Sequence, residues 1–187
     1  MPVLDGKTQE RQGLLETANL MVVAARTAPK AGGKDDILTA VVTDSEVEAI
    51  AGEMVTLAAA RNNPQWTVQA GIIRAAAAVV LVGVRGAKSY GLDCGACGFK
   101  SCADFTARGT TAGQDFDGPN CALKLLDLGI AVSSAVKIAS ILNVDNRIYY
   151  RIGAATRPLR FLPEASVIMG IPLSVTGKNP HFDRERR

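Results

Sequence analysis

The spacing of apolar side chains along this chain divides it into alternating helical and extended stretches. Residues 7–26 place Leu14, Leu15, Ala18, Met21, Val22 and Ala25 on one helical face, and Pro29 with Gly32-Gly33 ends that helix. Ile37–Val42 is a short apolar run that reads as a buried strand. Ser45 and Glu48 match a capping box, and the helix it opens turns Val47, Ile50, Ala51, Met54, Val55 and Ala58 inward. That helix runs to about Arg61, where Asn62-Asn63-Pro64 stops it. Thr67–Ala76 reads as a short helix and Ala77–Val84 as a second buried strand rich in valine. Residues 121–142 predict a long helix that is apolar on nearly every face, with Lys124, Asp127 and Lys137 as exceptions. Such a helix is either central to the core or shared with a partner subunit. Residues 147–152 and 165–171 read as two further strands, with Thr156–Leu162 a short polar helix or loop between them. The tail 174–187 is basic and extended, and His181 within it is expected to be exposed and inert.

Two strands before a cysteine-rich stretch and two after it predict an α+β domain over residues 1–187. Its sheet is mixed or antiparallel and packed with helices, and the cysteine lobe, 90–122, is inserted within it. Composition sharpens this picture. The chain is 48% hydrophobic but only 5% aromatic, so the core must be built from Ala, Val, Leu and Ile. A net charge of +3 is too mild to imply a nucleic-acid partner. The longest apolar stretches, 75–84 and 128–142, are too short or too interrupted to span a bilayer. Lys7, Glu10, Arg11 and Glu16 punctuate the first helix, so no export signal and a cytoplasmic location are expected.

The candidate chemistry lies in the cysteines. All four fall in C-x2-C-x4-C-x18-C, from Cys94, Cys97 and Cys102 to Cys121. Two thiolates separated by two residues reach one centre when the loop between them turns tightly, which Gly95 and Gly98 permit. Four thiolates suit a cubane iron–sulfur cluster, a zinc site or two disulfides. Zinc knuckles usually come as a matched pair of C-x2-C units, and only one is present. Disulfides need an oxidising compartment, for which nothing argues. Ligation would close the loop between Cys102 and Cys121, so residues 103–120 are expected to order with the metal centre. Phe105 and Phe116 read as packing for the lobe, and no nucleophile triad or Walker loop is present.

The run Cys94-Gly95-Ala96-Cys97-Gly98-Phe99-Lys100-Ser101-Cys102 followed by Pro119-Asn120-Cys121 resembles a four-cysteine ferredoxin-like module that holds a [4Fe–4S] cluster. The rest of the chain is similar to a prokaryotic family of uncharacterised ferredoxin-domain proteins. That likeness is carried by residues 24–32 (AARTAPKAG), Asp127-Leu128-Gly129-Ile130-Ala131, 169–174 (MGIPLS), Gly177-Lys178-Asn179-Pro180 and Phe182-Asp183-Arg184. The family in turn resembles flavin-dependent nitroreductases, which implies a nitroreductase-like fold and an FMN site. If FMN binds, Arg26, Lys30, Lys178 and Arg184 are the cations the resemblance points to.

These readings lead first to a redox protein with one [4Fe–4S] cluster, acting in electron transfer with a redox partner protein or as a flavin-assisted oxidoreductase. A non-enzymatic scaffold stabilised by zinc or a structural cluster is the alternative, and an iron–sulfur sensor is a third. The apolar helix 121–142 and the basic tail also predict a homodimer.

Overall fold

The structure, a computed structural model, describes residues 2–182, so Arg184 lies outside the described residues. The chain begins with α1 (Gly6–Thr27), capped by Asp5, whose carboxylate accepts from Thr8 N at 2.9 Å. After a short 3-10 turn, β1 (Ile37–Thr43) leads directly into α2 (Asp44–Ala60) and α3 (Gln65–Arg74). The capping box does not form: the N-cap is Thr43, Ser45 Oγ donates to Glu46, and Glu48 is drawn away to Arg74 of α3 at 2.7 Å. β2 (Ala78–Val84) then crosses the middle of the molecule with all its residues buried.

Beyond β2 the chain leaves the sheet for the cysteine segment. It contains one short helix, α4 (Cys102–Arg108), and the small hairpin of β3 (Thr111–Ala112) and β4 (Asp117–Gly118). The chain returns as α5 (Ala122–Ile141), followed by β5 (Asp145–Asn146), α6 (Tyr150–Leu159) and β6 (Val167–Ser174). The main sheet runs β1-β2-β6-β5, and every neighbouring pair is antiparallel.

Alternation along the strands sorts the core into two halves. Val80, Val82 and Val84 of β2 meet Leu14, Ala18 and Met21 of α1 and Ala131 and Ala135 of α5. Val79 and Leu81 face the other way, onto Ile50 and Met54 of α2, Ile73 of α3 and Ile152 of α6. The sheet is therefore covered on both faces, and the period-2 alternation gives each face its own helical layer. The buried faces of α1 and α5 include Ala18, Ala25, Ala131, Ala135 and Ala139 among larger side chains such as Leu14, Met21 and Leu128.

One element differs in kind from its sequence signal. Residues 147–152 do not form a strand. Only Tyr149 bridges to the sheet, exchanging bonds with Gly170 at 2.8 and 3.0 Å, and the chain then winds into α6. The aromatic and β-branched run Arg147-Ile148-Tyr149-Tyr150-Arg151-Ile152 suggests a strand, but Gly153 lets the chain lie against β6 as a helix. A Cβ at Gly153 would stand 1.7 Å from Ile168 O, and one at Gly170 would stand 2.2 Å from Ile152. Packing at that distance favours helix over strand. The sheet's fourth place is taken by the short β5 instead.

His181 is also unlike its expectation. It is 2% exposed, its ring stands edge-on to Tyr149 at 6.4 Å, and neither ring nitrogen has a hydrogen-bond partner among the described residues. Burial lowers its pKa, with Asp145 opposing that shift. Among the described residues, no helix is long and apolar enough to cross a membrane.

Candidate metal centre

The end of β2 and the start of α5 are brought together at Gly86. Cys121 N donates to Gly86 O at 2.8 Å, and Gly86 N donates to Ser166 Oγ at 2.9 Å. A Cβ on Gly86 would fall 2.1 Å from Asn120 Oδ1, so this close approach requires glycine. Cys121, the N-cap of α5, is thereby fixed beside the rigid central strand.

The other three cysteines are gathered by local geometry. Gly98 N donates to Gly95 O at 2.9 Å, and both glycines take positive φ, 87° and 71°, closing the turn between Cys94 and Cys97. Cys102 N donates to Asp93 Oδ1 at 2.6 Å, which ties the backbone beside Cys94 to that at Cys102. Ser101 caps α4 by accepting from Asp104 N at 3.1 Å. Phe99 and Phe105 pack edge-on at 5.6 Å between these turns.

All four cysteines line one narrow pocket. They are free thiols graded in depth: Cys94 is exposed, Cys97 and Cys102 are half-buried, and Cys121 is buried. They frame the pocket rather than converge on a point. Among the described residues, no three His, Cys, Asp or Glu side chains gather closely enough to ligate one metal ion.

A buried polar network backs this pocket. Tyr90, which packs on Cys121 and Phe105, sends its hydroxyl to Asp127 Oδ2, while Ala31 N donates to Asp127 Oδ1 at 3.0 Å. Lys124 lies 2.6 Å from Asp36 Oδ2, with its ammonium 3.6 Å from the Tyr90 ring centroid. Lys88 adds a second cation at Asp36, 3.4 Å away. Burial, and then the bond to Asp127, raise the Tyr90 pKa. Burial alone would lower the Lys124 pKa, but Asp36 and Tyr90 outweigh it and the net shift is upward. Burial likewise pushes Asp36 up, and Lys124 and Lys88 reverse this to a net lowering. The sequence signal for this network was the pair Lys124 and Asp127 on an otherwise apolar helix. Charges on a buried face require partners, but the sequence does not name Asp36 and Tyr90 as those partners.

The cations expected at a flavin are placed less simply. Arg26 and Lys30 meet at Asp35, 2.6 and 3.8 Å away. Arg26 also donates to Ile37 O at 2.6 Å, and Lys30 to Ala28 O at 2.9 Å. Lys178 lies in the loop after β6, where Thr176 Oγ1 donates to its carbonyl at 3.0 Å.

A protein of Archaeoglobus fulgidus described as uncharacterized is 41% identical over 182 residues, covering 97% of each chain. The chain belongs to the family of that archaeal protein. A family model described as an uncharacterized protein containing a ferredoxin domain matches residues 117–184, a stretch that includes Cys121. Among solved structures, a nitroreductase with bound FMN from Desulfitobacterium hafniense superimposes with a TM-score of 0.56 at 16% identity, over 91% of this chain and 83% of its own. Nitroreductase A from Vibrio parahaemolyticus gives 0.52 at 13% identity; the match covers 92% of this chain but only 62% of that longer one. At such identities the likeness is one of fold, and the fold is that of the nitroreductases.

Proposed function

We propose that this chain is an iron–sulfur redox protein holding one [4Fe–4S] cluster through Cys94, Cys97, Cys102 and Cys121, with residues 90–122 as an inserted lobe. The observation that carries this reading is that four thiols from separate stretches of chain line a single pocket. The donor set fits: a cubane takes four thiolates, one on each iron. A single zinc would instead draw them all to about 2.3 Å from one point. The cluster would supply one-electron chemistry. The chain's part is to hold its ligands and shield them. Phe99, Phe105 and Tyr90 keep water from the inner side, while exposed Cys94 marks the side a redox partner protein would approach.

FMN beside the cluster is the second reading, favoured by the shared fold with proteins described as binding it. Arg26, Lys30, Lys178 and Arg184 are its candidate cations. In that case the chain would be a flavin-assisted oxidoreductase rather than a carrier.

Assembly as a homodimer belongs to the same proposal. α5 buries Lys124 and Asp127 together with Leu128, Ala131 and Ala135, yet leaves an apolar stripe outside, beside Lys137: Leu126 is 62% and Ile141 63% exposed, with Ile130 between them at 42%. A second copy covering this stripe is the economical explanation. Anaerobic purification tests the metal reading. About four irons with matching sulfide per chain is the expected result, and stoichiometric zinc without sulfide would overturn it. The visible spectrum of the same sample reports flavin.

A further inference from the structure

Lys124 is placed where an ammonium is hardest to justify as packing. It is 1% exposed, in the first turn of α5, three residues after Cys121. An apolar side chain would fill that position without the desolvation penalty of a charge. The ammonium instead lies over the ring of Tyr90, a residue that also lines the cysteine pocket. Its counter-charge, Asp36, stands just before β1 and is shared with the more exposed Lys88. Asp127 is occupied by the Tyr90 hydroxyl and Ala31 N, and Asp93, in the pocket wall, by Cys102 N. Lys34 donates to the Tyr90 carbonyl at 3.2 Å, with its ammonium 5.7 Å from the Tyr90 ring centroid.

Building on the four-thiolate reading, we propose that Lys124 is a fixed positive charge that favours the reduced metal centre and sets its potential, with Asp36 as the opposing charge. Four thiolates make the pocket anionic, and each electron added makes it more so. A nearby cation offsets that cost. The offset is large only where water does not screen it, which is the condition Lys124 meets.

The test is a redox titration of anaerobically prepared holoprotein, followed by electron paramagnetic resonance and visible absorbance, with iron and sulfide counted in each sample. Lys124→Met should move the midpoint potential down. Asp36→Asn should move it up, because it removes the opposing charge. Tyr90→Phe alters no charge and should shift it least. A merely structural role predicts no such opposition of sign, so shifts in the same direction, or none, overturn the inference. Should Lys124→Met fail to fold, Asp36→Asn decides alone: an unchanged or lowered potential is fatal. Wild-type protein without iron and sulfide overturns the metal reading and this inference with it, whereas loaded wild type with no rise in Asp36→Asn overturns only the latter.

Discussion

The sheet body and the cysteine segment are built on different physical principles. In the body, β2 is buried along its whole length and both faces meet aliphatic side chains. Between β2 and α5, by contrast, the buried apolar groups are Tyr90, Phe105 and Cys121, with a few half-buried neighbours. Burial of apolar surface can determine the first region without help. The second is shaped by glycine turns and side-chain bonds to backbone, with four thiols lining one pocket. The difference teaches that one chain can join a scaffold held by apolar burial to a segment held by polar bonds and turns.

The largest effect should come from damaging the body. Leu81→Ala removes a fully buried side chain from the central strand and should cost about 2–5 kcal/mol. Chemical unfolding would show a single cooperative loss that takes the cysteine segment with it. Cys97→Ser should do the reverse, abolishing stoichiometric iron while far-ultraviolet dichroism stays near that of the wild type. If Cys97→Ser unfolds the whole chain, the two regions are not separable.

Removing iron under mild conditions sharpens the boundary. Closing the C-x18-C loop restricts the unfolded chain by about 3 kcal/mol, on the analogy of a disulfide of similar span. The sequence-based expectation makes all of 103–120 depend on this closure. The structure narrows it, because the hairpin is held from the body side. Arg61 reaches Asp115 at 2.5 Å and Gln114 O at 3.0 Å, and Arg157 bonds Gly113 O at 3.0 Å and the Asp117 carboxylate. Asp117 N adds a bond to Ser166 O at 3.0 Å. Trypsin should therefore cut apo protein at Arg108 much faster than holo protein, while the bond after Phe116 resists chymotrypsin in both. Equal resistance at Arg108 would argue against Cys121 as a ligand.

What the sequence disclosed follows the same division. The long periodic helices and β1 and β2 were legible within a few residues, because burial and pattern are the same information there. α6 was not, since its aromatic and β-branched start outweighed the glycine that lets it lie against Ile168. The capping box failed because a long-range partner, Arg74, claimed Glu48. At the candidate centre the four cysteines declared themselves by spacing. Tyr90 and Asp36 did not, because they meet Lys124 and Asp127 only after the chain has folded.

A smaller effect should follow from releasing the hairpin. Arg157 is half-buried and its bonds to Gly113 O and Asp117 are charge-assisted, so Arg157→Ala should cost about 1–3 kcal/mol. It should also open the Phe116 bond to chymotrypsin without changing the iron content. Lost iron in this variant would mean that the hairpin supports the ligands as well as the fold.

The smallest expected effect concerns His181, at the far end of α5 from Cys121. Its pKa is lowered from 6.5 in the folded protein, chiefly by burial. As pH falls below about 6.5, the unfolded chain takes up a proton that the folded chain does not. Stability should therefore fall through that window, with a slope of at most about 1.4 kcal/mol per pH unit, and level off once the folded pKa is passed. His181 is the only histidine, so no other imidazole contributes. Asp36 acts in a separate window: its lowered pKa stabilises the fold above 3.8, and that contribution disappears only as pH drops further. Urea midpoints at pH 7, 6 and 5 should decline for the wild type and stay flat for His181→Phe, while both lose stability below pH 4. A wild-type midpoint that does not move between pH 7 and 5 would mean that the imidazole charges in place, with Asp145 as its counter-ion, and that burial does not govern it.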